Sequence, residues 1–378
     1  MIEDSDKLLG RLKDRRHGIG SSANFAMDSA GLESLQEALT RRARGEAYET
    51  RARGKPYTVY TLGAMQQVDA AYTQISIKTA DRVQEQLRTR LSARGYALDF
   101  RHQGSVPLNV HIKGVSDIDL LTIEESVFLY DPNGLVGRSN GYVAARRSAV
   151  DVLADLRRDS ETVLRDAYAA ATIDTSGAKA IRISGGSLQR EVDVVPSVWW
   201  NNIQYQRSGQ AHDRGVAIFN KDDRSTIKNL PFLHIKMITD ACNSTYGGVR
   251  KSIRLLKNVK ADANENHESI KLSSYDIAGL MYHADRERLR AGVMTELAIL
   301  AETQRHLEYL VNNPSYAKSL QTPDNSRCIL DSTRKFSDLE DLSHEVTRLM
   351  EKVSAEQPEL LYLIGTPAKR AALSKIQI

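Results

Sequence analysis

The sequence predicts an α/β (α+β) fold in which a mixed β-sheet and one long helix form a core and a bundle of helices forms a second lobe. Three patterns predict it. Short runs rich in β-branched residues lie in the first half of the chain, at 118–122, 179–184 and 190–195. An apolar stripe with helical spacing precedes them, from about residue 62 to 93. Beyond about Pro231, almost every segment has the periodicity of a helix.

The size and composition are those of a folded protein. The 378 residues, 42.1 kDa in mass, exceed the usual size of one compact domain and predict two lobes or one elaborated domain. The net charge of +4 is too small to indicate a nucleic-acid partner by itself. Cys242 and Cys328 lack the spacing of metal ligands, and no apolar run approaches the ~20 residues of a membrane span. We therefore expect a cytoplasmic protein that contacts no membrane.

Three units are predicted along the chain. Residues 1–61 mix charge with Gly and Ser, which is typical of short helices joined by flexible segments, residues 62–230 form the core, and residues 231–378 form the helical lobe. Two basic clusters lie in the first unit, at 41–45 and 51–55. They are compatible with contacts to phosphate groups, although the absence of interleaved aromatic residues favours solvated loops.

The elements of the core follow from local patterns. The apolar stripe predicts one long helix, straight or kinked, that ends at Gly95. A strand at 118–122 and a helix at about 141–171 follow. The two short runs at 179–184 and 190–195 flank a Gly-Gly turn, so they predict an antiparallel pair of strands.

A Gly-Ser pair and an Asp-x-Asp motif carry the chemistry of the core. Gly104 and Ser105 follow Gln103, and the motif consists of Asp117 and Asp119. Glycine lets a backbone approach phosphate closely, while turn N–H groups and the serine hydroxyl donate hydrogen bonds. Residues two apart on a strand point to one face, and carboxylates are the ligands that Mg²⁺ prefers. The pattern predicts a phosphate-binding turn beside a metal site. Taken alone, it is also compatible with a surface loop and strand.

A third carboxylate strengthens that prediction. Two metal ions, typically ~3.5–4 Å apart, clamp the attacking and leaving oxygens of an in-line displacement and need a further ligand. Asp193 lies between two valines in an apolar strand, whereas Glu191, on the same face, is at the polar start of that strand. Alone, Asp193 is also explained as a strand-end carboxylate that caps a loop. Together with Asp117 and Asp119 it predicts a catalytic site for two Mg²⁺ ions, with Mn²⁺ as an alternative.

Several segments resemble one enzyme family. The QGS, SDID and EVDVVP segments are similar to those of the DNA polymerase β-like nucleotidyltransferase superfamily, in particular its cyclic GMP-AMP synthase and bacterial CD-NTase branch. VRKSIRLLKNVK and KLSSYDIAGLMYH resemble the lysine-bearing helix and the Ser-Tyr pair of that branch. The long helix before QGS corresponds to the family's spine helix. The resemblance spans residues 62 to 290 approximately, and the residues after about 290 match only as a helical bundle.

The resemblance implies further nucleotide-binding residues beside the turn at 103–105. Lys257 meets the triphosphate, and Tyr275, after Ser274, stacks on a base. Judged from the residues alone, Lys257 belongs to a basic helical stripe with Arg250 and Arg254 that is also compatible with a solvated face. Tyr275 is equally compatible with core packing. The scattered histidines are interpreted as surface or packing residues rather than ligands or bases, namely His102, His111, His234, His267 and His283.

The resemblance also implies an activity. Members of this branch use nucleoside triphosphates such as ATP and GTP to make a cyclic di- or trinucleotide, with release of pyrophosphate, in bacterial anti-phage (CBASS) signalling. A separate effector protein reads the product. The zinc-binding insertion by which animal cyclic GMP-AMP synthase senses DNA has no Cys or His counterpart here, so no nucleic-acid activator is expected. Two alternatives stay open: an enzyme of the same fold that makes linear oligonucleotides or modifies tRNA or protein, and an inactive nucleotide-binding scaffold.

Overall fold

The computed structural model describes residues 4–17, 46–112, 117–266 and 269–378. The strands are β1 (Leu98–Gln103), β2 (Ile118–Tyr130), β3 (Thr172–Asp174), β4 (Ile181–Ser184), β5 (Val192–Asn201), β6 (Gly215–Asn220) and β7 (Ser225–Asn229). The helices that precede or interleave with these strands are α1 (Ser5–His17), α2 (Ala47–Arg51), α3 (Pro56–Met65), α4 (Ala70–Ser92), α5 (Leu135–Arg138), α6 (Ala149–Ala167) and α7 (Ile203–Ser208).

The helices beyond the last strand form the second lobe. They are α8 (Pro231–Ser244), α9 (Gly248–Glu265), α10 (Ser274–Tyr282), α11 (Arg286–Arg290), α12 (Leu297–Asn312), α13 (Pro314–Ser319), α14 (Thr333–Ala355) and α15 (Thr366–Leu373). This confirms the prediction of helices from about residue 231 onward. None of the described helices is long and apolar enough to cross a membrane.

The strands form one mixed sheet, as predicted. Its order is β1-β2-β5-β4-β3, and β6 pairs with the far part of β5 and with β7. β2 and β5 run parallel, while every other pair in the described part of the chain is antiparallel. The predicted β4–β5 pair is present, and β2 extends beyond its predicted end with an irregularity after Glu124. The sequence patterns did not reveal β1, β3, β6 or β7.

The two faces of the sheet pack against different layers. On one face α4 and α6 bury a large apolar cluster, in which Leu87 and Leu153 pack with Leu120 and Val194. On the other face a smaller cluster around Leu121 includes Phe232, which belongs to α8. The helical lobe therefore approaches the sheet from the face opposite α4.

The prediction of one long helix over 62–93 is wrong in one respect, because this segment is divided between two helices. α3 ends at Met65 and α4 begins at Ala70, where the side chain of Asp69 accepts a hydrogen bond from Ala71 N at 2.8 Å. The apolar stripe crosses this break because its parts pack into different cores: Met65 joins the core of the helical lobe, whereas Leu87 joins the core of the sheet. The helix predicted at 141–171 is shorter, since Ser148 caps α6.

The first helices pack against the second lobe. The Arg15 guanidinium donates to Asp262 Oδ2 at 2.5 Å and the Tyr60 hydroxyl donates to the same atom at 2.6 Å. From the second basic cluster, Arg51 donates to Glu296 at 2.6 Å and Lys55 to Gln357 at 2.7 Å. These contacts favour a structural role for that cluster. The cluster at 41–45 lies outside the described residues, and the three unit boundaries remain a prediction.

Candidate active site

The pairing of β2 with β5 places two of the predicted aspartates side by side. Asp119 and Asp193 are register partners in this parallel pair. Side chains alternate between the faces of a sheet, and Leu120 and Val194 are buried against α4 and α6. Asp119 and Asp193 therefore project from the opposite face, and Asp117 immediately precedes β2. The structure thus brings the three predicted carboxylates to one end of the two central strands.

The predicted phosphate-binding turn lies directly against these carboxylates. Gln103, the last residue of β1, pairs with Asp119. Gly104 has φ +82°, and a Cβ atom there would lie 2.3 Å from Asp119 Oδ2. A side chain at this position is excluded twice over, because it would clash with the carboxylate and would strain the backbone. The bond from Val110 N to Ser105 O, 3.0 Å long, closes the turn.

Arg182 is a member of this site that the sequence patterns did not single out. Its Nε atom donates to Asp193 Oδ1 at 3.1 Å, and its Nη2 atom donates to Asp117 Oδ2 at 3.3 Å. The contact arises from the antiparallel β4–β5 register, in which Arg182 is the partner of Asp193. A signal was available, because the predicted strand pair could have been aligned across its Gly-Gly turn.

Burial, followed by crowding of negative charge, raises the pKa values of two carboxylates in the site. Burial, and then the charges of Asp193 and Asp117, raise the pKa of Asp119 to about 7, although Arg182 opposes the rise. Burial, followed by the charge of Asp193, also raises the pKa of Asp117. Both shifts show that the ionised carboxylates lack enough positive charge around them.

Divalent metal is the group that this donor set fits. Hard carboxylate oxygens on one face, too close together for all of them to ionise freely, are suited to Mg²⁺. In the part of the chain described, however, no three acidic, His or Cys side chains are already grouped so as to hold an ion. Asp117 and Asp193 are both paired with Arg182 instead.

The raised pKa of Asp119 predicts that Asp119→Asn stabilises the metal-free protein at alkaline pH. A carboxyl group whose pKa is higher in the folded state than in the unfolded state destabilises the fold above that folded pKa, near 7 here. The penalty declines as pH falls toward the ordinary value of 3.8. In EDTA at pH 8 we expect Asp119→Asn to raise the melting temperature by a few degrees, for a gain on the order of 2 kcal/mol. At pH 5 most of that gain should be absent.

Glu191→Gln is the matched control, since Glu191 is an exposed carboxylate next to β5. We expect its melting temperature to follow that of the wild type at both pH values. Differential scanning fluorimetry of the three proteins is sufficient. An Asp119→Asn gain that is equal at pH 5 and pH 8 would contradict the raised pKa of Asp119.

The basic stripe on α9 faces the loop that follows the Gly-Ser turn. Arg250 Nε donates to Leu108 O at 2.8 Å. Arg254 is buried, and it donates to Met65 O and to Asn109 O, each at 2.7 Å. The alternative of a solvated face is therefore wrong for these two arginines, which join the helical lobe to the loop by binding its carbonyl groups.

Lys257 continues this stripe into the interior. Its side chain is only 3% exposed, and burial, with a smaller effect of Lys260, lowers its pKa to about 7. Burial lowers the pKa of the His111 imidazole to about 4, and the positive charge of Lys257 contributes to this shift. Lys257 therefore lies near His111. His111 in turn contacts the backbone of Ser105 and the hydroxyl of Thr73, the latter at 2.9 Å. Lys257 is thus close enough to His111 for their charges to interact, and its contact with triphosphate stays a prediction.

Tyr275 lies on α10 with one face of its ring covered. The ring stacks on His234 with centroids 3.8 Å apart, and Arg327 Cζ lies 5.6 Å from its centroid. Burial and the nearby Asp324 raise the pKa of its hydroxyl. Ser274, the first residue of α10, is exposed, and the helix cap is Ser273 instead. At most one face of the Tyr275 ring is available to a base, so base stacking stays a prediction.

The histidines that the structure describes agree with their interpretation as surface or packing residues. His111 and His234 are buried in contacts with other side chains, and His283 bonds a backbone carbonyl at 2.8 Å. His267 lies outside the described residues.

A mixed sheet that presents three aspartates beside a Gly-Ser turn, joined to a helical lobe, defines a nucleotidyltransferase. The family model of the cGAS/DncV-like nucleotidyltransferase C-terminal helical domain matches residues 236–351. The cyclic dinucleotide synthase CdnE of Yersinia aleksiciae is 44% identical over 357 residues, which cover 92% of each chain. The chain therefore belongs to the CdnE cyclic dinucleotide synthase family, and this confirms the branch indicated by the sequence motifs.

Two further relatives agree. A c-di-GMP synthase of Capnocytophaga granulosa is 32% identical over 285 residues, which cover 70% of this chain and 78% of the relative. The solved structure of a STING-associated CdnE c-di-GMP synthase from Capnocytophaga granulosa superposes with a TM-score of 0.71 at 26% identity, covering 94% of this chain and 100% of the other. The predicted fold class is thereby confirmed as the fold of this family.

Proposed function

We propose that this protein joins two nucleoside triphosphates into a cyclic dinucleotide, with GTP among its substrates. A 2′ or 3′ hydroxyl of one nucleotide attacks the α-phosphate of the other, pyrophosphate leaves, and a second transfer closes the ring. The observation that carries the proposal is the pairing of Asp119 with Asp193 directly beneath the Gly104 turn.

Each group at the site has a role in this proposal. Asp117, Asp119 and Asp193 would hold two divalent cations, which supply charge stabilisation at the attacking and leaving oxygens. The backbone N–H groups of the turn and the Ser105 hydroxyl are donors beside these carboxylates. Arg250 and Arg254 hold the following loop in place, so the turn is fixed relative to the helical lobe. Lys257 supplies positive charge on the side of the triphosphate.

The choice of substrate and of partner rests on relatives. Relatives from Lachnospiraceae and Capnocytophaga granulosa are named as c-di-GMP synthases, at 31% and 32% identity. That supports guanine as a base accepted here. The solved Capnocytophaga granulosa enzyme is described as STING-associated. That supports a separate effector protein as the reader of the product in an anti-phage signalling system.

A product assay tests the proposal directly. The purified protein is treated with nuclease, and the nuclease is then removed. The protein is incubated with Mg²⁺ and the four labelled nucleoside triphosphates, singly and mixed. We expect a phosphatase-resistant cyclic dinucleotide that contains guanine and is identified by mass spectrometry. We expect equal yield without the nuclease step, because the chain lacks the zinc-binding insertion used to sense DNA.

Other outcomes select the alternatives. Phosphatase-sensitive linear oligonucleotides, or label transferred to added tRNA or to protein, would show that the enzyme transfers nucleotides to a different acceptor and does not close a ring. Absence of any transfer, with nucleotide still bound, would make the protein a scaffold. Loss of product after nuclease treatment, restored by added DNA or RNA, would overturn the independence from nucleic acid.

A further inference from the structure

Within residues 4–17, 46–112, 117–266 and 269–378, Arg182 is the cationic side chain that pairs with carboxylates of the site. It bonds Asp193 Oδ1 and Asp117 Oδ2 at the same time. The Arg182 side chain is 47% exposed, whereas those of Asp117 and Asp193 are 39% and 15% exposed. The guanidinium therefore covers two carboxylates from the solvent side while retaining freedom to leave them.

A guanidinium and a divalent cation compete for the same carboxylate oxygens. Both need the lone pairs of Asp117 and Asp193, and two positive charges at contact distance repel each other. Among the described residues, the other charged groups that act on Asp117 are acidic, namely Asp193 and Glu191. Arg182 thus partly neutralises the site without metal and must be displaced when metal enters.

We infer that Arg182 closes the site to divalent metal until nucleotide is present, so that metal and nucleotide bind cooperatively. A guanidinium released from Asp117 and Asp193 finds in a triphosphate a doubly accepting partner that suits its own planar fork. Nucleotide then lowers the cost of displacing Arg182, and metal affinity rises. This inference rests on the proposed metal-binding role of the aspartates.

Metal binding without catalysis tests the inference. Mn²⁺ is titrated into wild type and Arg182→Gln, and free Mn²⁺ is measured by electron paramagnetic resonance, with and without a non-hydrolysable GTP analogue. Without nucleotide we expect Arg182→Gln to bind Mn²⁺ about fivefold more tightly than wild type. The analogue should raise Mn²⁺ affinity several-fold more in wild type than in the variant. In EDTA, Arg182→Gln should have the lower melting temperature, because it loses the counter-ion.

Two further variants make the result specific. Arg147→Gln removes an exposed arginine that lies just before α6, in the layer behind the sheet, and pairs with Asp155. This variant should bind Mn²⁺ as wild type does. Arg182→Lys keeps the charge without the planar fork, and its affinity should lie between those of wild type and Arg182→Gln. Circular dichroism checks that each variant is folded, and Arg182→Lys carries the test if Arg182→Gln is not.

The possible failures are distinguishable. Equal or weaker Mn²⁺ binding by Arg182→Gln, with binding by wild type intact, would overturn the competition and leave the proposed function untouched. Failure of every protein to bind Mn²⁺, with or without the analogue, would overturn the metal assignment of the aspartates and this inference with it.

Discussion

The double variant Asp117→Asn with Asp119→Asn should lose nucleotide transfer almost completely, to below about one-thousandth of the wild-type rate. The change removes two negative charges from the face that holds Asp193 and leaves the side-chain shapes nearly unchanged. Because the pKa values of both aspartates are raised, their negative charges do not stabilise the folded metal-free protein. We therefore expect the melting temperature in EDTA to be retained or increased. Pyrophosphate release with Mg²⁺ and GTP measures the first effect, and scanning fluorimetry measures the second.

Glu191→Gln provides the comparison within the same strand region. It removes one exposed negative charge beside Asp193 and should keep activity within about twofold of wild type. Wild-type product formation by the double variant in Mg²⁺ would refute the metal assignment. Loss of activity in Glu191→Gln as well would show that general charge, rather than the three aspartates, controls the reaction.

Tyr275→Ala should have the second large effect, on nucleotide affinity and on stability together. Stacking on a base contributes ~1–3 kcal/mol, so affinity for a GTP analogue should fall by about tenfold or more. The ring also stacks on His234 at 3.8 Å, and its removal should cost about 2–4 kcal/mol of unfolding free energy through the cavity left behind. Tyr275→Phe keeps the ring and should bind the analogue as wild type does.

The two quantities separate the two roles of Tyr275. Calorimetric titration with the GTP analogue gives the affinity, and thermal unfolding gives the stability. Tyr309→Ala, which removes an exposed tyrosine of α12, should change neither by much. If Tyr275→Ala unfolds at a lower temperature but binds nucleotide normally, Tyr275 is a packing residue of the helical lobe and does not belong to the site.

The positions of Asp119 and Asp193 could be predicted because each depends on one strand only. Alternation of apolar and acidic residues assigns them to a face, and the hairpin at 179–195 indicates a nearby sheet. The contact of Arg182 with Asp193 was harder to predict than the positions of the aspartates, because it depends on the register between two strands. A shift of one residue would place Arg182 on the other face.

Long-range partners explain the remaining differences. Arg254 has the spacing of a solvated stripe, but its acceptors are carbonyl groups of Met65 and Asn109, far away in the sequence. No local pattern contains such a partner. Similarly, periodicity does not distinguish one core from two, so the apolar stripe concealed the break before Asp69.

The ion pair between Arg15 and Asp262 has a consequence for the order in which the protein is made. The two residues are 247 positions apart, and the ribosome adds roughly 5–20 residues per second. The first helix therefore emerges tens of seconds before its acidic partner exists. During that interval the Arg15 guanidinium and the Tyr60 hydroxyl lack their shared acceptor, although Leu12 already has Gly63 of α3 beside it. The polar contacts of α1 and α3 are thus completed only after the second lobe has been made.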